Sequence, residues 1–193
     1  MAKYDFAFRP GMALLEYVRP ADAEGRAREL LETYRDEHGE SALFNEALAH
    51  NPDFLAARFD YAARVLESGR VDRELKEFVF VVVSMANDCE YCVGDHRNEF
   101  VERFGGDEAE LALVAAGEFE ALDGRKQALA RFAHQVATDP KRVGESHLEA
   151  LRALGYDEAD IVEILACATL AVSANTIVDA LSIHPVDREL RGE

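Results

Sequence analysis

From Phe78 to Met85 the chain is apolar at every position except Ser84. The Val-rich run fits a buried strand by β-branched content. Its surroundings argue for a helix. No turn residue separates Asp72 from Met85, and the flanks carry helical patterning. A helix apolar on nearly every side has to be buried on nearly every side. The rest of the chain must therefore supply helices to cover it.

The run stops at Asn87-Asp88. Both residue types cap helices well, and Glu90 follows Asn87 at capping-box spacing. One helix is expected to end near Ala86 and a second to start at Asn87 or Asp88. Cys89 and Cys92 then lie in the first turns of the second helix, on one face. Sulfurs so placed can form a disulfide with little backbone movement. Unpaired N–H groups and the positive end of the helix favour a thiolate there. His96, one turn beyond Cys92, can accept a thiol proton directly or through water. Glu77 lies about three turns before the break. If its helix packs back along the second, its carboxylate reaches the Cys92–His96 pair as a buried acid suited to relaying protons. Tyr91 and Asp95 border the group, and Asp95 could raise the Cys92 pKa or orient His96. Two other readings stand beside the redox one. The cysteines could be inert small residues, or Cys89, Cys92 and His96 could hold zinc with one more ligand. Cys167, in an apolar stretch, reads as a buried thiol, and His134, His147 and His184 read as structural.

Glu77, eleven residues, Cys89-x-x-Cys92, three residues, His96: this pattern resembles the alkylhydroperoxidase D family of the carboxymuconolactone decarboxylase superfamily. The resemblance extends to Asn51-Pro52 before the motif and Gly155-Tyr156-Asp157 before the last long helix, and spans roughly residues 40–190. It implies a helical bundle assembled as a homo-oligomer, commonly a trimer or hexamer. It implies that Cys92 attacks a hydroperoxide, that Cys89 resolves the product as a disulfide, and that Glu77 and His96 relay protons. An external dithiol would reset the pair, with no cofactor or metal. The family's best-studied type has a second histidine just before the second cysteine. Here Tyr91 stands there, so the relay is shorter or uses the phenol. Two alternatives remain on the same scaffold: thiol–disulfide exchange or redox sensing without efficient peroxidase activity, and decarboxylation of a carboxylated lactone. The latter needs cationic anchors, of which the motif offers only Arg97.

The chain has 193 residues, a length that suits one domain and needs no disulfide staples. Its N-terminus lacks the pattern of a signal peptide. The longest apolar run, Ile161 to Val178, is interrupted by Glu163, Ser173 and Asn175. A soluble cytoplasmic protein is expected, and one Cys-x-x-Cys pair plus a lone cysteine fits a reducing compartment. The net charge is −17, with no basic patch for nucleic acid. Such repulsion is screened beyond about 8 Å at physiological salt. It points either to a high-salt interior or to an ordinary acidic protein. Salt adaptation predicts that Tm rises between low and molar KCl; a flat or falling Tm excludes it.

An all-α bundle of eight or nine helices is expected. Residues 1–20, with Pro10-Gly11 and Pro20, read as an extended arm. Helices follow over 22–38, 42–50, 52–68, 72–86, 87–104, 107–116, 121–138, 146–154 and 157–181, with a polar tail from Ser182.

Overall fold

The computed structural model describes residues 13–39 and 41–187. The first twelve residues of the expected arm and the end of the polar tail lie outside them. Among the described residues there are nine α-helices and no strand. They are α1 (Gly25–His38), α2 (Leu43–Leu48), α3 (Pro52–Leu66), α4 (Arg73–Ala86), α5 (Glu90–Asn98), α6 (Glu108–Ala116), α7 (Gly124–Thr138), α8 (Glu145–Ala153) and α9 (Glu158–Leu181). The chain divides into two compact units, 1–59 with 178–193, and 60–177.

In the first unit, residues 13–20 are non-helical and fastened by backbone. Leu14 N donates to Leu181 O (2.8 Å) and Val18 N to Glu46 O (3.1 Å), while the Tyr17 hydroxyl donates to Asp187. The helix expected from Asp22 starts at Gly25. A turn in which Asp22 N and Ala23 N both donate to Arg19 O takes up the intervening residues. Tyr34 on α1 stacks on His38, with centroids 4.0 Å apart, and on Phe59, 5.6 Å away.

The second unit is built around α4. All ten residues from Leu75 to Ser84 are buried, so the apolar run is a helix covered on every side. Each enclosed Val or Phe contributes roughly 1.5–3 kcal/mol. α7 and α5 pack against α4 most extensively. On α9, Ile164, Cys167, Ala168, Leu170, Ala171 and Asn175 are all buried. Two polar contacts tie α9 to α4: the Cys167 thiol donates to Lys76 O (3.2 Å), and Asn175 Nδ2 donates to Ser84 Oγ (3.0 Å). α9 is long and apolar enough to cross a membrane by length and composition alone, but half of that stretch is buried within the protein. The α3–α4 turn is pinned by one carboxylate. Glu163 accepts from Arg70 N (3.0 Å) and Val71 N (3.1 Å) and pairs with the enclosed Lys76 Nζ (2.6 Å). Gly69, at φ +97°, makes that turn, and a Cβ there would run into the Glu163 carboxylate.

Two departures from the sequence reading bear on the motif. α5 does not begin at Asn87. The end of α4 uses that segment to satisfy its last carbonyls: Asn87 N donates to Val83 O (3.1 Å), Asp88 N to Met85 O (3.2 Å) and Cys89 N to Ser84 O (3.0 Å). Asp88 takes φ +56°, a left-handed conformation that Asp tolerates better than most residues. Asn87 is thus the C-cap of α4, Cys89 the N-cap of α5, and the expected capping box does not form. Farther on, α5 widens into a π-helical turn over Glu99–Arg103 instead of continuing to Phe104. The helix expected from Ala121 starts at Gly124, where the Asp123 side chain caps Arg125 N (2.8 Å) and Lys126 N (2.9 Å).

Candidate active site

α4 carries Glu77 and α5 carries the two cysteines and His96, so packing these two helices assembles all four. Glu77 is completely buried. One of its oxygens, Oε2, lies 2.6 Å from His96 Nδ1, and the other, Oε1, accepts from Arg73 Nε at 2.6 Å. Burial pushes the carboxyl pKa up, yet the charges and hydrogen bonds of His96 and Arg73 outweigh it and hold the group below its ordinary value. An ionised carboxylate only accepts, so Nδ1 of His96 carries a hydrogen. In the neutral ring Nε2 is then the basic nitrogen. Phe80 fixes the ring plane by stacking on it, centroids 3.4 Å apart and planes within 16°.

Cys89 and Cys92 are both buried thiols, with sulfurs 2.8 Å apart. That is contact without a bond, since a disulfide measures about 2.05 Å. The Cys92 pKa is pushed up, first by hydrogen bonding to Cys89, then by burial and by the charge of a Cys89 thiolate; the exposed Asp95 adds to the rise and a hydrogen bond from Asn175 opposes it. A readily ionised Cys92, expected from the helix start, is therefore offset by its partner. A charge on one buried sulfur disfavours a second charge beside it. No hydrogen bond joins His96 to either sulfur among the described residues. Transfer between thiol and imidazole requires a small movement or a bridging water.

The remaining candidates fall into place. Tyr91 is buried beside Cys92 on α5. Arg97 is engaged with Glu108 (Nη2 to Oε2, 2.7 Å) and is not a spare anion anchor. Cys167 is fully buried, and burial pushes its pKa up. His134 meets Phe119 edge-on at 5.4 Å and lines a hollow with Val82, Met85, Val93 and Glu90. No group of three His, Cys, Asp or Glu side chains among the described residues is arranged to hold a metal ion.

Four participants escaped the sequence reading. Arg73 was detectable, since it precedes Glu77 by one helical turn. Asn175 stood out only as a polar residue in an apolar helix. Phe80 and Ser84 look like any other core residues in the run.

Residues 52–135 match the model of the Carboxymuconolactone decarboxylase family. No curated protein matches the chain. An alkylhydroperoxidase AhpD core, an uncharacterized peroxidase-related protein from Ralstonia eutropha JMP134, superposes with a TM-score of 0.81 at 24% identity, over 91% of this chain and 93% of that one. A peroxidase-related protein from Silicibacter sp. TM1040 gives 0.79 at 21%, over 95% of each chain. The debrominase Bmp8 bound to 2,3,4-tribromopyrrole gives 0.75 at 20%, over 95% of this chain and 98% of that one. The family model covers less than half of the chain, and the superpositions show that the chain shares the all-α fold of these structures.

Proposed function

We propose that the chain is a thiol-dependent hydroperoxidase with an antioxidant role, working in a reducing cytoplasm. The Glu77–His96 hydrogen bond carries this reading, because it sets a tautomer-fixed base on the helix of the sulfur pair. The peroxidase-related names of two similar structures agree with it. Cys92 gives its proton to His96 Nε2 and attacks the distal peroxide oxygen. The O–O bond breaks, the alkoxide leaves with that proton as an alcohol, and Cys92 becomes a sulfenic acid. The Cys89 thiol displaces hydroxide from it, releasing water and forming the Cys89–Cys92 disulfide. An external dithiol then exchanges with that disulfide, returning both cysteines to thiols and becoming oxidised itself. Glu77 stays ionised and stabilises the imidazolium.

The test is thiol counting before and after one equivalent of tert-butyl hydroperoxide. Loss of two thiols with a mapped Cys89–Cys92 bond, far faster than for free cysteine, is expected. Loss no faster than free cysteine overturns the reading. Burial of both sulfurs favours a second reading, thiol–disulfide exchange with a partner protein. Fast exchange with a dithiol partner and negligible peroxide reaction would select it. Bromide release from 2,3,4-tribromopyrrole in the same assay would instead align the chain with its debrominase relative.

The chain is further proposed to form a homo-oligomer, trimeric or hexameric. Val162, Leu165 and Tyr61 are large apolar residues 64%, 39% and 39% exposed, an unusual surface for a monomer. Sedimentation as a stable monomer refutes this.

A further inference from the structure

His96 can act as a base only while its ring is neutral. In that state it lends no positive charge to Glu77, whose carboxylate is completely buried. A buried anion without a counter-charge is costly and takes up a proton instead. The consequence falls on the base itself. A protonated Glu77 would donate to Nδ1 of His96, 2.6 Å away. The ring hydrogen would then sit on Nε2, and the basic nitrogen would be lost. Something other than His96 must therefore keep Glu77 ionised.

Arg73 is placed to do so. It precedes Glu77 by one turn of α4, and its Nε donates at 2.6 Å to Oε1, the oxygen that His96 does not use. The π-helical turn after α5 ends beside Phe104, whose ring lies 5.4 Å from the guanidinium carbon. The Arg73 side chain is only 23% exposed, so salt and water screen the pair in part. Other cations around α4 and α5 are committed elsewhere. Lys76 pairs with Glu163 on α9, Lys126 on α7 with Glu74 and Glu110, Arg97 with Glu108 on α6, and Arg103 with Glu99. His134 on α7 meets Phe119. Asp95, Cys92 and Cys167 bring no positive charge to the group.

We propose that Arg73 is a positioning residue of the proton relay: it holds Glu77 as a carboxylate while His96 is neutral, and so keeps Nε2 the basic nitrogen. The carboxylate then passes unchanged through the whole cycle. The Cys92 proton goes to Nε2 and from there to the leaving alkoxide, and none is diverted to Glu77. This inference rests on the hydroperoxidase reading for its purpose, but its test needs no peroxide.

The experiment uses the full chain with isotope-labelled histidine. Ring resonances of His96, assigned by their loss in His96→Gln, report its protonation and tautomer against pH. A carboxylic-acid infrared band, assigned by its loss in Glu77→Gln, reports Glu77. In Arg73→Gln the Glu77–His96 pair is expected to take up its proton about one pH unit or more higher than in the parent, the effect of losing an adjacent opposite charge. The sign is the same whether that proton appears on the ring or on the carboxyl. Arg73→Lys keeps the charge and is expected to stay close to the parent. A merely structural Arg73 would lower Tm and leave the midpoint unmoved; that result overturns the proposal, as does an equal shift in Arg73→Lys. If Arg73→Gln does not fold, the double variant Arg73→Gln with Glu77→Gln decides. Its folding would show that the missing counter-charge was the fault and support the proposal, and its failure would assign Arg73 to packing and overturn it. The two readings also fail separately. A shifted midpoint in a protein inert to peroxide would sink the hydroperoxidase function and leave the positioning role, and an unmoved midpoint in an active peroxidase would do the reverse.

Discussion

Replacing Cys92 by serine is expected to remove turnover of tert-butyl hydroperoxide, lowering the rate by on the order of 10³-fold or more, as loss of a nucleophile does. Cys89→Ser should behave differently. It retains one round of reaction, because the attacking sulfur and the Glu77–His96 pair are intact, and then stops as a sulfenic acid that dimedone traps on Cys92. The contrast arises from the order of events. Cys92 must lose two electrons to the peroxide before Cys89 has anything to attack. The 2.8 Å separation of the sulfurs means that closure needs little backbone movement once the sulfenic acid exists. Peroxide consumption and peptide mapping on the two variants check this. Full turnover by Cys92→Ser would falsify the assignment, and equal behaviour of the two variants would remove the distinction between attacking and resolving cysteine.

Glu77→Gln is expected to reduce turnover by about 10²–10³-fold, the usual contribution of a positioned acid–base group. It should also cost about 2–4 kcal/mol of stability, because Arg73 and His96 lose a buried anion. The lower part of that range reflects the 23% exposure of the Arg73 side chain and its stacking over Phe104 (5.4 Å). The pH dependence has a definite sign. The Glu77 carboxyl is held below its ordinary 4.5 in the folded protein. A depressed carboxylate contributes its stability fully above the unfolded value and loses it as pH falls through the folded one. The stability difference between the parent and Glu77→Gln should therefore be constant near neutrality and shrink below about pH 4.5. Urea unfolding midpoints across that range measure it. A difference that grew on acidification would mean that the carboxyl is raised, and that it is a proton donor rather than an anchor for the imidazolium.

The site was legible to the extent that it is local. Cys89, Cys92 and His96 share one helix face by spacing alone, and the apolar run had to be a helix once its flanks were read with it. Glu77 could be named because a carboxylate in such a run is costly without a partner, and Arg73 lies one turn away on the same helix. Helix ends were less legible where two elements competed for the same residues. Asn87 has equal chemistry for starting α5 and for ending α4. The unsatisfied carbonyls of Val83, Ser84 and Met85, together with the pull of Asn175, settled it for α4.

By itself, then, the sequence determined the all-α class, the central buried helix and the four residues of the motif, because periodicity and i, i+3, i+4 spacing are properties of a single helix. Tertiary structure decided where α4 ends, which nitrogen of His96 faces Glu77 and how Glu77 stays ionised while buried. Those answers depend on Asn175, on the stacking of Phe80 and on the crossing of α4 with α5. Such contacts join residues up to 91 positions apart, as Ser84 and Asn175 are, and no spacing rule along one helix reaches that far.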